Sequence, residues 1–164
     1  MKFDSINKWL TLIGNVGVIF GILFLAIELQ QANRIAISTA ESDIRSKYMD
    51  LGSIEIENPE LLEAQLSLST PGMELTPIQD MMIRRYVRSS LVFFMGVEAA
   101  HDSGLMSEST FYSYLNVATA TLEATPELAP YFVSTLRVRP DDEQDNVMVA
   151  HILEISQKVT IGDP

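Results

Sequence analysis

The chain has 164 residues, 47% of them hydrophobic, with 22 acidic against 11 basic side chains and a net charge of −11. A surface this acidic repels phosphate backbones, which argues against nucleic acid as a partner. The absence of cysteine excludes disulfides, thiolate nucleophiles, Cys-ligated zinc and iron–sulfur clusters.

Residues 1–8 form a short tail carrying Lys2, Asp4 and Lys8. Trp9 to Ile27 then reads WLTLIGNVGVIFGILFLAI, without a charge. As a helix this stretch covers about 28 Å, close to the ~30 Å hydrocarbon core of a bilayer. A cleaved signal peptide has a shorter apolar run and a small-x-small cleavage site, and Glu28-Leu29-Gln30-Gln31 supplies none. A soluble core helix is shorter and carries polar residues on one side, whereas only Thr11 and Asn15 are strongly polar here. Residues 9–30 are therefore read as a transmembrane helix, with Trp9 at the interface and the lipid bilayer as first partner. Lys2 and Lys8 before the span, against Arg34 close behind it, favour a cytoplasmic N-terminus and an outer C-terminal domain in a cell (inner) membrane. Gly14, Gly17 and Gly21 fall on one side of this helix and would admit a second helix closely; Glu28 shares that side at the membrane edge. They are the candidate helix-packing residues. The competing explanation is that glycine is simply common in membrane helices.

Residues 31–160 are expected to form one acidic helical domain. Ile37, Ala40, Ile44, Tyr48 and Leu51 recur at helical spacing, so the first helix should continue to about Leu51 and end at Gly52-Ser53. Asn58-Pro59-Glu60 predicts a short helix with Asn58 as N-cap, reaching about Leu68. Thr76-Pro77 opens a long helix to about Asp102, with Ile78, Met81, Met82, Tyr86, Phe93, Val97 and Ala100 at helical spacings. Its apolar character around Leu91–Met95 marks it as the centre of the bundle. Ser103-Gly104 ends it. Ser107 starts the next helix, to about Ala124, and Thr125-Pro126 starts another that Pro130 should shorten or kink. Arg137 to Pro140 reads as a connector, Asp141 to Gln144 as the opening of a last helix to about Val159, and Ile161 to Pro164 as a frayed end. No segment has strand periodicity, so the fold class is all-α: an N-terminal transmembrane helix continuing into a small helical bundle.

The segment WLTLIGNVGVIFGILFLAIELQQ resembles the opening of a broad set of uncharacterised bacterial single-pass membrane-anchored helical proteins. Asn58-Pro59-Glu60-Leu61, Leu75-Thr76-Pro77, Glu98 to Leu105 and Pro126 to Phe132 are similar to the same set, although Ala99-Ala100-His101 stands where bulkier aromatics are expected. The resemblance implies the anchor and the helical domain and carries no catalytic residue.

Two one-turn pairs, Glu98/His101 and His151/Glu154, are candidate metal ligands, because carboxylate-bridged di-iron bundles use Glu-x-x-His on facing helices. Only the first pair has that order. A bis-histidine haem between the helices is a related reading, and the plainer one is that both histidines cap or face solvent beside an acid. Arg84, Arg85 and Arg88 are a candidate anion or partner contact, set against simple pairing with nearby acids such as Glu55, Glu57, Glu60 and Glu63. Asp141, Asp142, Glu143 and Asp145 suit a helix N-terminus better than calcium, for they lack the EF-hand spacing and its glycine. The eight methionines read as core filling. No Gly-x-Ser-x-Gly elbow, phosphate loop or dinucleotide glycine pattern occurs. The leading expectation is a non-enzymatic accessory or scaffolding subunit, or a homo-oligomer, without a resident cofactor. The alternatives are a metal- or haem-binding bundle and a small-ligand sensor with an apolar pocket beside Tyr86, Phe93 and Phe94.

Overall fold

A computed structural model describes residues 2–136 and 146–161, with side chains for 7–136 and 146–160. The described residues form six α-helices and no strand: α1 (Lys2–Glu57), α2 (Pro59–Leu68), α3 (Pro77–Asp102), α4 (Glu108–Ala124), α5 (Ala129–Leu136) and α6 (Val147–Ile161). A single 3-10 turn, Pro126–Leu128, precedes α5. The chain divides into two compact units, Met1–Ser38 and Thr39–Pro164.

In the first unit every residue from 7 to 36 is exposed. This helix is long and apolar enough to cross a membrane, and none of its most apolar window is buried within the protein.

The second unit has its own core, built on α3. Ile83, Val87, Leu91, Phe94 and Val97 recur every three or four residues and are at most 4% exposed. Leu115, Ala118 and Leu122 of α4, Phe132 and Leu136 of α5, and Met148, Val149 and Ile152 of α6 complete that core. Ile44 of α1 and Leu61 and Ala64 of α2 also belong to it. Of the apolar residues expected along α3, Phe93 and Val97 are buried in the core and Met82, Tyr86 and Ala100 pack against it, but the first two do not. Ile78 and Met81 are 65% and 45% exposed, because at ~100° per residue they project roughly 140–160° away from Ile83.

Helix ends follow local chemistry, and here the sequence expectations need correction. Helix α1 runs through Gly52 and Ser53 to Glu57. One interior glycine costs a helix only about 1 kcal/mol. The break comes at Asn58 (φ −117°, ψ 84°), since a residue before proline is pushed out of the helical region. The Asn58 side chain does not cap α2. It turns back, and its Nδ2 donates to the Ile54 carbonyl at 2.8 Å, satisfying the end of α1 instead. Thr125 likewise makes no side-chain cap, and the Pro126–Leu128 turn precedes α5, which is described from Ala129 to Leu136 and contains Pro130 in its first turn. Helix α6 begins at Val147; the connector 137–140 and the acidic run 141–145 lie outside the described residues.

Other ends match their signals. Thr76 and Gln79 form a reciprocal capping box at the start of α3. At its end Leu105 N donates to Ala100 O and Gly104 N to His101 O, both at 2.9 Å. Gly104 (φ +69°) supplies the left-handed residue this closure needs.

Candidate functional site

The four candidate metal ligands all have partners within the protein. Glu98, 4% exposed, accepts from Val147 N and Met148 N at 2.7 Å each. Asn146 Oδ1 accepts from Val149 N at 3.1 Å. The first three amides of α6 are thus satisfied, two of them by a carboxylate from α3 that also faces the positive end of the helix dipole. His101 stacks on Phe111 (centroids 4.3 Å apart, planes at 21°), and its Nδ1 lies 3.5 Å from Asp102 Oδ1. His151 Nε2 is 3.0 Å from Thr119 Oγ1, and that hydroxyl donates to the Leu115 carbonyl at 3.1 Å. Glu154 accepts from Lys158 Nζ at 2.6 Å, and this ammonium holds its carboxyl below the usual range. Among the described residues no three His, Asp or Glu side chains converge to hold a metal ion.

The arginines of α3 divide between two neighbourhoods. Arg84 Nε donates to Asp80 Oδ2 at 2.8 Å, and its guanidinium carbon lies 5.2 Å from the centre of the Tyr131 ring. Tyr131 Oη donates to Asp80 Oδ1 at 3.0 Å, tying α5 to α3. Arg84 first, and Tyr131 after it, lower the Asp80 carboxyl from its ordinary value. The acids suggested as partners by the sequence, Glu55 to Glu63, do not pair with Arg84. Arg85 instead lines a cleft facing α1 and α2, and Arg88 is exposed.

A third carboxylate works at a distance in sequence. Glu41 of α1 accepts from Ser107 N at 3.0 Å, at the start of α4. That amide is the main reason its carboxyl sits below its ordinary value. Glu41, Asp80 and Glu98 therefore each fasten a later helix. None is signalled by a motif, because a carboxylate that caps a remote helix looks like any surface acid in the sequence.

Two adjoining clefts run between α1 and α3. One, about 210 Å³, is lined by Ile54, Leu61, Met82, Arg85 and Tyr86. The other, about 280 Å³, is lined by Ile44, Lys47, Leu51, Val92, Phe93 and Gly96. Both reach Ser89. Burial, and then a hydrogen bond to Glu55, push the Tyr86 hydroxyl well above its ordinary value. An apolar pocket beside Tyr86, Phe93 and Phe94 was expected; Tyr86 and Phe93 line the clefts, and Phe93 and Phe94 both belong to the core. Lys47, Ser89 and Gly96 were missed. The signal was present as matching stripes, 44-47-51-54 on α1 and 82-85-89-92-96 on α3.

Comparison with protein-family models, with curated proteins and with solved structures gave no match to this chain. Its chemistry is accordingly read from its own residues.

Proposed function

We propose that this chain is a non-enzymatic, single-pass membrane protein whose acidic helical unit serves a membrane assembly as an accessory or scaffolding subunit, or as a homo-oligomer. Residues 9–30 are the anchor, with the N-terminus on the cytoplasmic side of a cell membrane and the helical unit outside. One observation carries the reading. The stretch Trp9–Ile27 presents large apolar side chains all round, from Val16 at 42% exposed to Phe20 at 67%, and covers none of them within the protein. Water penalises that surface by ~25 cal/mol per Å², whereas lipid does not. Open space lies over Gly14, Gly17 and Gly21, so a second helix could approach their backbone.

The test is native mass spectrometry of the protein extracted gently from its own membrane, after an alkaline carbonate wash. The reading expects the chain in the washed membrane pellet and then a defined oligomer or a larger complex. Gly17→Leu/Gly21→Leu should shift that species toward monomer. Release by carbonate removes the anchor; a lone monomer with no co-purifying protein removes the assembly.

A further inference from the structure

The two clefts between α1 and α3 form one surface of mixed character. Their walls are apolar: Ile54, Leu61 and Met82 on one side of Ser89, and Leu51, Val92 and Phe93 on the other. Val92 stays 57% exposed and Ile54 40%, so the helices leave hydrocarbon uncovered there. The stripe from Met82 to Gly96 is about 21 Å long at ~1.5 Å per residue. Each cleft alone falls below the ~300–1,000 Å³ of ordinary ligand sites, and Ser89 lines both.

Charge supplies the second half of the argument. The chain carries twice as many acids as bases, 22 against 11, yet each cleft is lined by a cation, Arg85 in one and Lys47 in the other. Among the described residues the Arg and Lys side chains in ion pairs are Arg84 and Lys158, so neither cleft cation is neutralised by a described carboxylate. Glu55, whose charge helps raise the Tyr86 hydroxyl above its ordinary value, accepts from Gln65 Nε2 at 3.0 Å. Apolar walls with two uncommitted cations complement a hydrocarbon tail with an anionic head.

We propose that the α1–α3 cleft binds a single-chain anionic amphiphile of the long-chain fatty-acid class, its tail along the walls at Ile54, Met82, Val92 and Phe93 and its carboxylate at one end, on Lys47 or Arg85. The proposal is independent of the anchor reading, for every residue it uses lies in the Thr39–Pro164 unit.

The test is photo-crosslinking of the full chain in lipid nanodiscs with a palmitate analogue carrying a mid-chain diazirine, followed by peptide mapping. Label is expected on segments 44–54 and 82–96. Lys47→Ala/Arg85→Ala should reduce it roughly tenfold, as loss of charge-assisted contacts predicts. Gly96→Leu should reduce it comparably by filling the cleft. A Cβ at Gly96 meets nothing within 4 Å, so the variant is expected to keep its fold, which a circular dichroism melt checks. Labelling of residues 9–27 should be the same in every variant, which separates the cleft from bulk lipid. Absence of label on the two segments overturns the proposal, as does label unmoved by the substitutions. Equal labelling by the matched fatty alcohol overturns the role of charge. Much stronger labelling by a lysophosphatidic acid analogue with the same tail replaces the fatty acid with a phospholipid source.

Discussion

Residues 9–27 of α1 and 83–97 of α3 are both apolar-rich helical stretches, and they have opposite fates. The first carries apolar side chains all round and buries none of them within the protein. The second gathers most of its apolar groups on one stripe, Ile83 to Val97, and buries that stripe almost completely, with Val92 left exposed. A stripe can be covered by a few neighbouring helices while the opposite face stays in water. An apolar cylinder would need covering on all sides. The contrast teaches that periodicity, more than hydrophobicity, decides which helix builds a protein core.

Paired truncations break this comparison most sharply. Phe132→Ala, which empties a site 1% exposed beside α3, should cost about 3–5 kcal/mol in urea unfolding of the helical unit. Phe20→Ala, at a ring 67% exposed, should leave that unfolding transition unchanged. Equal losses would mean that the apolar stretch contributes to the helical unit's stability.

Glu98→Gln gives a smaller effect. The amide side chain keeps one acceptor oxygen for two amide donors, one buried and one part-buried, and loses the favourable charge at the α6 N-terminus. A loss of about 2–3 kcal/mol is expected by the same measurement. An unchanged midpoint would show that the α3 carboxylate does not hold α6.

The smallest effect is pH dependence. Glu41 and Asp80 have carboxyls lowered from ordinary values of 4.5 and 3.8, by the Ser107 amide and by Arg84 respectively. A carboxyl more acidic in the folded than in the unfolded state stabilises fully above the unfolded value, and that contribution fades as pH falls through the folded one. Thermal stability should therefore decline below about pH 4.5, and Glu41→Gln should flatten part of that decline. Both carboxylates are largely solvated, so the effect is modest.

Much of the fold was legible in the sequence. Thr76-Pro77, Ser107 and Ser103-Gly104 marked helix ends, because capping chemistry acts within three or four residues. Asn58 was read at the right position with the wrong partner, since its side chain can serve either of the two helices it separates. The clefts were only half legible. Tyr86 and Phe93 pointed to an apolar surface, but Lys47 reaches it from α1, far away in the chain.

The residues alone determined the helical class, the apolar N-terminal stretch and most helix boundaries, because these depend on periodicity and on contacts within one turn. Tertiary structure decided which side of α3 faces the core. It also gave Glu41, Asp80 and Glu98 their roles of fastening α4, α5 and α6, and left Lys47 and Arg85 without a carboxylate partner among the described residues. A carboxylate's partner depends on what folding brings within about 3 Å of it. That distance is set by the packing of helices remote in sequence, which local pattern does not encode.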